Sequence, residues 1–374
     1  MSEKISVKEV VSRRDLHDFI YLPARVHRND ANWLPPLYFD EWTLFNRKKN
    51  SDFKHSEAVL FLAYRNHKPA GRIMGLINKR YNNIKNENNG RFCFMEAFED
   101  REVVHALLEK VEIWAREKGM VKIVGPLGFS DKDPQGFLIE GFERPQIIKT
   151  SNNLPYLPKM MEWEGYIKET DLVNYVFRMP PEVPPAYRRA FERISGLPGF
   201  RVVEFSSKKE LRPYIIPILE LMNKTFMEIY GFVPLNDNEK KDLADRFLLI
   251  IDPAFIKVAE VEGIPVGFIV AMPDISESIK RSGGKLFPLG LLRILRDLRK
   301  SKKMMLVLGG IVKTYRCRGI DVLLGMKLIE TGLRRRMETI DSHLILESNH
   351  QMRAECEKLQ GEVVKRFRIY QKTL

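Results

Sequence analysis

Apolar positions along this chain recur at two spacings, and each change of spacing marks a change of element. Residues 59–64 (Val-Leu-Phe-Leu-Ala-Tyr) and 70–77 are nearly continuous apolar runs of strand length, and the turn residues at 66–69 between them predict a hairpin. A further strand is predicted at 91–97. Over 102–118 the spacing lengthens to that of a helix, with Val103, Ala106, Leu107, Val111 and Trp114 on one face and Gly119 as its stop. A strand at 121–125 and a polar loop at 130–136 follow. Ahead of the hairpin lie a first strand, a helix around 15–26 and an aromatic loop, Asn32-Trp-Leu-Pro-Pro-Leu-Tyr-Phe39, which suits either packing over a core or lining a ligand groove.

The proline cluster at 180–185 (Pro-Pro-Glu-Val-Pro-Pro) stiffens the chain and removes ladder donors, so it predicts a boundary between residues 1–180 and 181–374. The same order of elements then starts again. It runs through a strand at 200–205, a helix at about 208–230 interrupted near Pro213 and Pro217, and a second helix from Glu239. A hairpin at 255–261 and 264–271 follows, whose edge strand tolerates Pro265. Last come a strand at 304–312, a helix at 322–336, a strand at 342–347, a short helix to Leu359 and a closing strand at 363–370.

Composition narrows the classes. A chain of 374 residues is long enough for two domains. Lys and Arg number 62 against 49 acids, a formal charge of +13, which favours an acidic ligand, a nucleic acid or an anionic membrane. No zinc motif, RNP-like aromatic pattern or helix-turn-helix accompanies the charge, which argues against nucleic acid. Cys93, Cys317 and Cys356 lack metal-ligand spacing and leave one unpaired, so no metal and a reduced cytoplasm are expected. The first residues are too charged for a signal peptide, and no uncharged run reaches the ~18–20 residues of a membrane span. The expectation is a cytoplasmic protein, soluble or peripheral on a membrane.

Chemistry concentrates at 304–321. A β-favouring run ends in Arg316-Cys-Arg-Gly-Ile-Asp321, which opens directly onto a helix, so unpartnered backbone N–H groups and two arginines converge where an anion can sit. This stretch resembles the acyl-CoA pyrophosphate loop of the GNAT N-acyltransferases, which reads Gln or Arg, two residues, Gly, any residue, Gly or Ala. Asp321 departs from the final small residue; its carboxylate suits a helix cap but also places negative charge beside the phosphates. Asn349 and Gly361 match the family's Asn before the next helix and Gly after it, while Cys356 stands where the family has Tyr. With Gly125-Pro126, Asn153-Leu-Pro-Tyr156 and Tyr230-Gly-Phe-Val-Pro234, the whole chain resembles a bacterial tandem-GNAT family of uncharacterised N-acyltransferases, some of whose members are proposed as bacterial ceramide synthases.

The resemblance implies an α/β fold of the α+β kind: two tandem GNAT-like domains, each a mixed, largely antiparallel sheet flanked by helices. It implies acyl-CoA as donor, bound by Arg316, Cys317, Arg318, Gly319, Ile320, Asp321 and Asn349. The backbone N–H groups of Gly310, Ile311 and Val312 would hold the pantetheine and stabilise the oxyanion. The first domain is a degenerate copy, because Glu99, Asp100 and Glu102 would repel phosphate. Glu347 and His350 are the general-base candidates by position, with Tyr230, Glu239 and Asp274 as acceptor-side alternatives. Cys356 could protonate the leaving thiolate or fill a core as a small hydrophobe.

One insertion, 280–303, lies outside a minimal GNAT domain and holds nine basic residues against one acid. Leu291, Ile294, Leu295 and Leu298 fall on one helical face, and Arg293, Arg296, Arg299 and Lys300 on the other. This is the pattern of a helix on an anionic membrane surface and equally of one packed on its own domain. The expected reaction is transfer of an acyl group to a primary amine, either a small molecule or a long-chain, sphingoid-type amine at the membrane. A catalytically inactive acyl-CoA-binding protein and a tandem GNAT that uses aminoacyl-tRNA are the other classes.

Overall fold

A computed structural model of the chain describes residues 5–195, 199–286 and 290–374. The amino-terminal half runs β1 (Ile5–Glu9), α1 (Arg13–Val26), α2 (Tyr38–Leu44), β2 (Ser56–Arg65), β3 (Lys68–Asn78), α3 (Lys79–Lys85), β4 (Asn89–Ala97), α4 (Arg101–Glu117), β5 (Lys122–Gly125), β6 (Phe137–Glu140), α5 (Tyr156–Trp163) and β7 (Ile167–Arg178). The carboxyl-terminal half runs α6 (Pro185–Ser195), β8 (Phe200–Glu204), α7 (Lys208–Thr225), α8 (Asp237–Ile250), β9 (Ile256–Val261), β10 (Ile264–Pro273), α9 (Ser276–Arg281), α10 (Gly290–Leu298), β11 (Lys303–Ile311), α11 (Ile320–Arg334), β12 (Thr339–Leu346), α12 (His350–Lys358) and β13 (Glu362–Thr373).

Local chemistry sets these boundaries. The β2–β3 hairpin turns through Asn66 and His67, both at positive φ, and β9–β10 through Glu262 and Gly263, also both positive, which matches the two-residue turns that follow strand twist. Ser12 and Asp15 form a reciprocal capping box at the start of α1. The helix expected to break near Pro213 and Pro217 instead runs unbroken as α7. Each proline removes one backbone bond, but Leu211, Ile215, Ile218, Leu219, Leu221 and Met222 are buried along the helix, and that packing holds it. On α4 the buried face includes Val104, Leu108 and Ala115 beside Val103, Leu107 and Val111, whereas Ala106 and Trp114 are only part-buried.

All strands but β6 lie in one sheet path, β1-β2-β3-β4-β5-β13-β7-β12-β11-β10-β9-β8, with β6 on β13. Its pairings are antiparallel except β4 with β5 and β11 with β12. The halves exchange strands at the centre. β13 pairs with β5, Tyr370 opposite Gly125, and β7 pairs with β12, Ile340 opposite Phe177, while β13 and β7 pair with each other. One apolar cluster therefore draws on both halves, Leu127, Leu138 and Leu172 with Phe367 and Ile369. Ion pairs also cross, among them Arg368 to Asp171 at 2.9 Å, Lys372 to Glu112 at 2.8 Å and Arg80 to Glu239 at 2.8 Å. Among the described residues, no helix is long and apolar enough to cross a membrane.

Candidate functional site

The carboxyl-terminal half opens where its two parallel strands part. β11 and β12 pair only from Lys303–Thr339 to Met305–Asp341. Past that point β11 bulges at Val307, since Leu306 and Leu308 face consecutive residues of β10, and β12 bulges at Ser342 and His343, the latter at φ 57°. The β12-facing edge of β11 over 306–311 is left with no strand partner, so an extended ligand can add there through main-chain hydrogen bonds. Val312 and Gly310 depart from expectation. The Val312 N–H donates to Val266 O at 2.9 Å, so it is turned toward β10, and strand alternation turns the Gly310 amide the same way and the Ile311 amide to the open edge instead. Gly310 is required sterically, because a Cβ there would lie 2.5 Å from Thr225 Oγ1 on α7.

Beyond β11 the chain turns through Arg316 to Gly319. Cys317 (φ 58°) and Gly319 (φ 82°) adopt left-handed conformations, and Gly319 is the N-cap of α11 with no side chain to cap it. The first N–H groups of α11 thus face outward unpartnered, a ready anion site. The cap expected from Asp321 is not made: Gly319 holds the N-cap position, so Asp321 falls within the first turn, where its side chain is exposed and makes no capping bond. Arg316 Nε donates to Ile311 O at 3.1 Å and its guanidinium lies 4.0 Å from Glu228, while exposed Arg318 lies 5.4 Å from the Tyr315 ring centre. Ile320 is buried against Leu324 and anchors the loop to the core.

At the fork itself stands Asp341, a residue that sequence reasoning passed over. Its Oδ1 accepts the His343 N–H at 2.7 Å and the Asn174 side-chain N–H at 2.6 Å. Burial pushes its carboxyl up to about 6, and the Asp274 carboxylate adds to the rise, against the two hydrogen bonds and the Lys365 charge. Lys365 is also buried, its Nζ has no hydrogen-bond partner among the described residues, and burial lowers it to about 8. A single charged residue inside the run Ile340-Asp-Ser-His-Leu-Ile345 was the signal available in sequence, since ionisable groups in buried strands require a reason.

The other expected residues are dispersed. Glu347 accepts from Lys168 Nζ at 2.8 Å and from the Asp171 N–H at 3.1 Å, so both oxygens are occupied. His350 is exposed in the first turn of α12, which Asn349 caps by accepting from Met352 N. Cys356 is buried with Ile340, Ile345 and Tyr175, and burial pushes its thiol up to about 12. Ile340 and Asp341 point to opposite faces of β12, so Cys356 and Asp341 lie on opposite sides of the sheet. Tyr230 packs against the cluster of Leu127, Leu138, Leu172, Phe367 and Ile369; burial raises its hydroxyl, and the Glu169 carboxylate adds to that rise. Glu239 is spent on Arg80 and on capping α8 through Asn236 N, and Asp274 accepts from Ser276 while acting on Asp341 through space.

In the amino-terminal half the equivalent strands, β4 and β5, also part after three paired residues, and β4 bulges at Phe94 (φ 49°). The helix start is closed, however. Asp100 caps α4 by accepting from Val103 N, and Arg65 holds it through two short bonds of 2.8 and 2.7 Å. Within the aromatic loop, Leu34 packs with Ile279 and Ile294, while Trp33, Pro36 and Leu37 wall a cavity of about 190 Å3 that also holds Arg72, Glu41 and Asp133.

Helix α10 of the insertion divides its leucines. Ile294 and Leu298 pack with Leu34, Ile275 and Ile279, whereas Leu292 is 65 % exposed and Leu295 is 41 % exposed among arginines, so Leu295 parts from the face it was expected to share with Ile294 and Leu298. Residues 287–289 and the Leu291 side chain lie outside the described residues.

Comparison places this architecture. No family model matches the chain. Protein YghO of Escherichia coli (strain K12) is 27% identical over 379 residues, covering 98% of this chain and 95% of that protein. Bacterial ceramide synthase of Caulobacter vibrioides (strain NA1000 / CB15N) is 28% identical over 377 residues, covering 99% and 98%. Among solved structures, a tandem GNAT protein from the clavulanic acid biosynthesis pathway superposes with a TM-score of 0.56 at 12% identity over 99% of this chain and 98% of that one. A GCN5-related N-acetyltransferase from Sphaerobacter thermophilus gives 0.54 at 13% identity over 99% and 95%.

Proposed function

We propose, from the tandem GNAT fold and the open fork between β11 and β12, that this chain is an acyl-CoA-dependent N-acyltransferase whose acceptor is a long-chain primary amine taken from a membrane surface. The observation that carries the reading is the uncapped start of α11, flanked by Arg316 and Arg318, at the end of a strand edge with no partner. A pyrophosphate on those N–H groups directs the pantetheine along β11 toward the fork. The amide of Ile311 and the bulge at Val307 offer N–H groups to the pantetheine and to the thioester oxygen. The amine nitrogen attacks the acyl carbon, its proton passes to Asp341 Oδ2, for which no hydrogen-bond partner is present among the described residues, and the C–S bond breaks to release the CoA thiolate. The lipid part of the reading is supported by the similarity to a bacterial ceramide synthase and by the exposed Leu292 and Leu295 on a basic helix.

Acyl-CoAs from C2 to C18, assayed with a long-chain amine, should show preference for the longer donors; preference for acetyl-CoA would remove the lipid half of the proposal. Asp341→Asn should lower kcat by ~10²–10⁴, the usual worth of a positioned base, with CoA affinity unchanged, whereas Glu347→Gln should keep most activity. Because the base must be ionised, kcat/KM should rise with pH through about 6. That acidic limb should be absent from the residual activity of Asp341→Asn.

A further inference from the structure

At the end of the carboxyl-terminal half remote from the anion loop, α10 forms one wall of an open groove of about 550 Å3. Its floor is apolar: Ile251, Pro253, Phe255, Leu295, Leu298 and Met337. Its rim carries Lys208, Arg296, Arg299 and Arg335 against one acid, Asp252. Arg335 reaches Asp252 at 3.0 Å and Arg296 reaches Asp297 at 3.2 Å, while Arg299 makes no side-chain hydrogen bond or ion pair among the described residues. Arg299 therefore leaves the rim a cation that no acid among the described residues pairs, over a floor that water solvates poorly.

We infer that this groove is a binding site for a single anionic phospholipid, its phosphate held by Arg299 and Arg335 and the start of an acyl chain laid on Phe255, Leu295 and Met337. The inference rests on the membrane part of the proposed function and sharpens it. Diffuse adsorption needs only the basic helix, but Lys208, Phe255, Arg335 and Met337 come from outside the insertion and convert a charged surface into a shaped site. The volume lies within the ~300–1,000 Å3 of pre-formed ligand sites. Charge alone also suits a nucleic acid, yet a phosphodiester backbone leaves the apolar floor uncovered. Leu292 and Leu295, exposed on the same helix, continue the apolar surface outward, which is where the remainder of a lipid still in its bilayer would lie.

The test uses the full chain and dihexanoyl-phosphatidylglycerol below its micelle concentration, titrated by calorimetry or native mass spectrometry. Saturable 1:1 binding is expected, with dihexanoyl-phosphatidylcholine weaker by ~10-fold for want of net charge. Arg299→Glu should weaken the anionic lipid ~10-fold or more, and Leu295→Ser several-fold, at unchanged thermal stability, because both side chains are exposed. Arg299→Glu with Arg335→Glu should abolish binding; if that variant fails to fold, the Arg299→Glu result decides. Equal binding of inorganic phosphate or of an oligonucleotide, or lipid binding retained in Arg299→Glu, would overturn the inference. CoA titration of the same samples separates the outcomes: loss of CoA binding would strike the proposed function, and loss of lipid binding alone strikes only the groove.

Discussion

The two halves present the same fork and differ at one helix start. Each parts its parallel pair after three residues and bulges its fourth strand, and each sends the chain from that strand into a helix. In the carboxyl-terminal half the helix begins at Gly319, which has no side chain to offer, so the backbone N–H groups remain available to an external anion. In the amino-terminal half it begins at Asp100, whose carboxylate occupies the place where a phosphate would bind, and Arg65 balances the charge from within. A stabilised helix and a ligand site are thus alternative uses of the same unpartnered donors. A cap worth ~1 kcal/mol is what the carboxyl-terminal half forgoes.

That contrast can be tested in three places. The largest effect should come from the feature that only the carboxyl-terminal half possesses, the basic insertion. Replacing Arg293, Arg296, Arg299 and Lys300 with Gln removes four cations worth about 1 kcal/mol each near an anionic surface, so co-sedimentation with phosphatidylglycerol vesicles should fall by up to ~10³-fold. Turnover of a short soluble amine should survive; equal loss of both would make α10 part of the active-site fold. Next, Arg316→Glu with Arg318→Glu should weaken CoA by ~10²-fold in calorimetry, the worth of two charge-assisted contacts. Unchanged affinity would place the donor elsewhere. The smallest effect belongs to the closed helix: Asp100→Ala should cost ~1 kcal/mol of stability in denaturant titration and leave CoA stoichiometry unaltered. A second equivalent of CoA bound by that variant would show that the cap alone had been excluding it.

Much of this was legible in advance because it is local. The apolar periods located the hairpins and the long helices to within a few residues, and the Arg316 to Asp321 turn read as one that opens onto a helix, as it does at Gly319. What stayed hidden depends on pairing between distant segments. Nothing in residues 167–178 or 362–373 states that these strands trade places, because a buried strand reads the same beside either partner. The base candidates were drawn from residues adjacent to Asn349 in sequence, and the fold spends Glu347 on Lys168 and leaves His350 in solvent. Asp341 was visible in sequence as a charge inside a strand run, but only the register shows that strand pairing ends on it. Asp321 illustrates the finer limit, since shifting a helix start by two residues turns a cap into a surface charge.

Strand β11 joins two environments that would otherwise oppose each other. Its first residue, Lys303, adjoins the basic insertion, and its last, Ile311, leads into the anion loop. Nine residues rising about 3.3 Å each separate these ends by roughly 26 Å. The Debye length at physiological ionic strength is only about 8 Å, so a surface of anionic lipids at the Lys303 end is screened to insignificance at the other. If the chain acts as proposed, a polyanionic donor can approach the loop without electrostatic penalty from a membrane of the same sign at the other end of the strand. The length of one strand sets that tolerance, and it should hold in dilute buffer only until the screening length grows to match it.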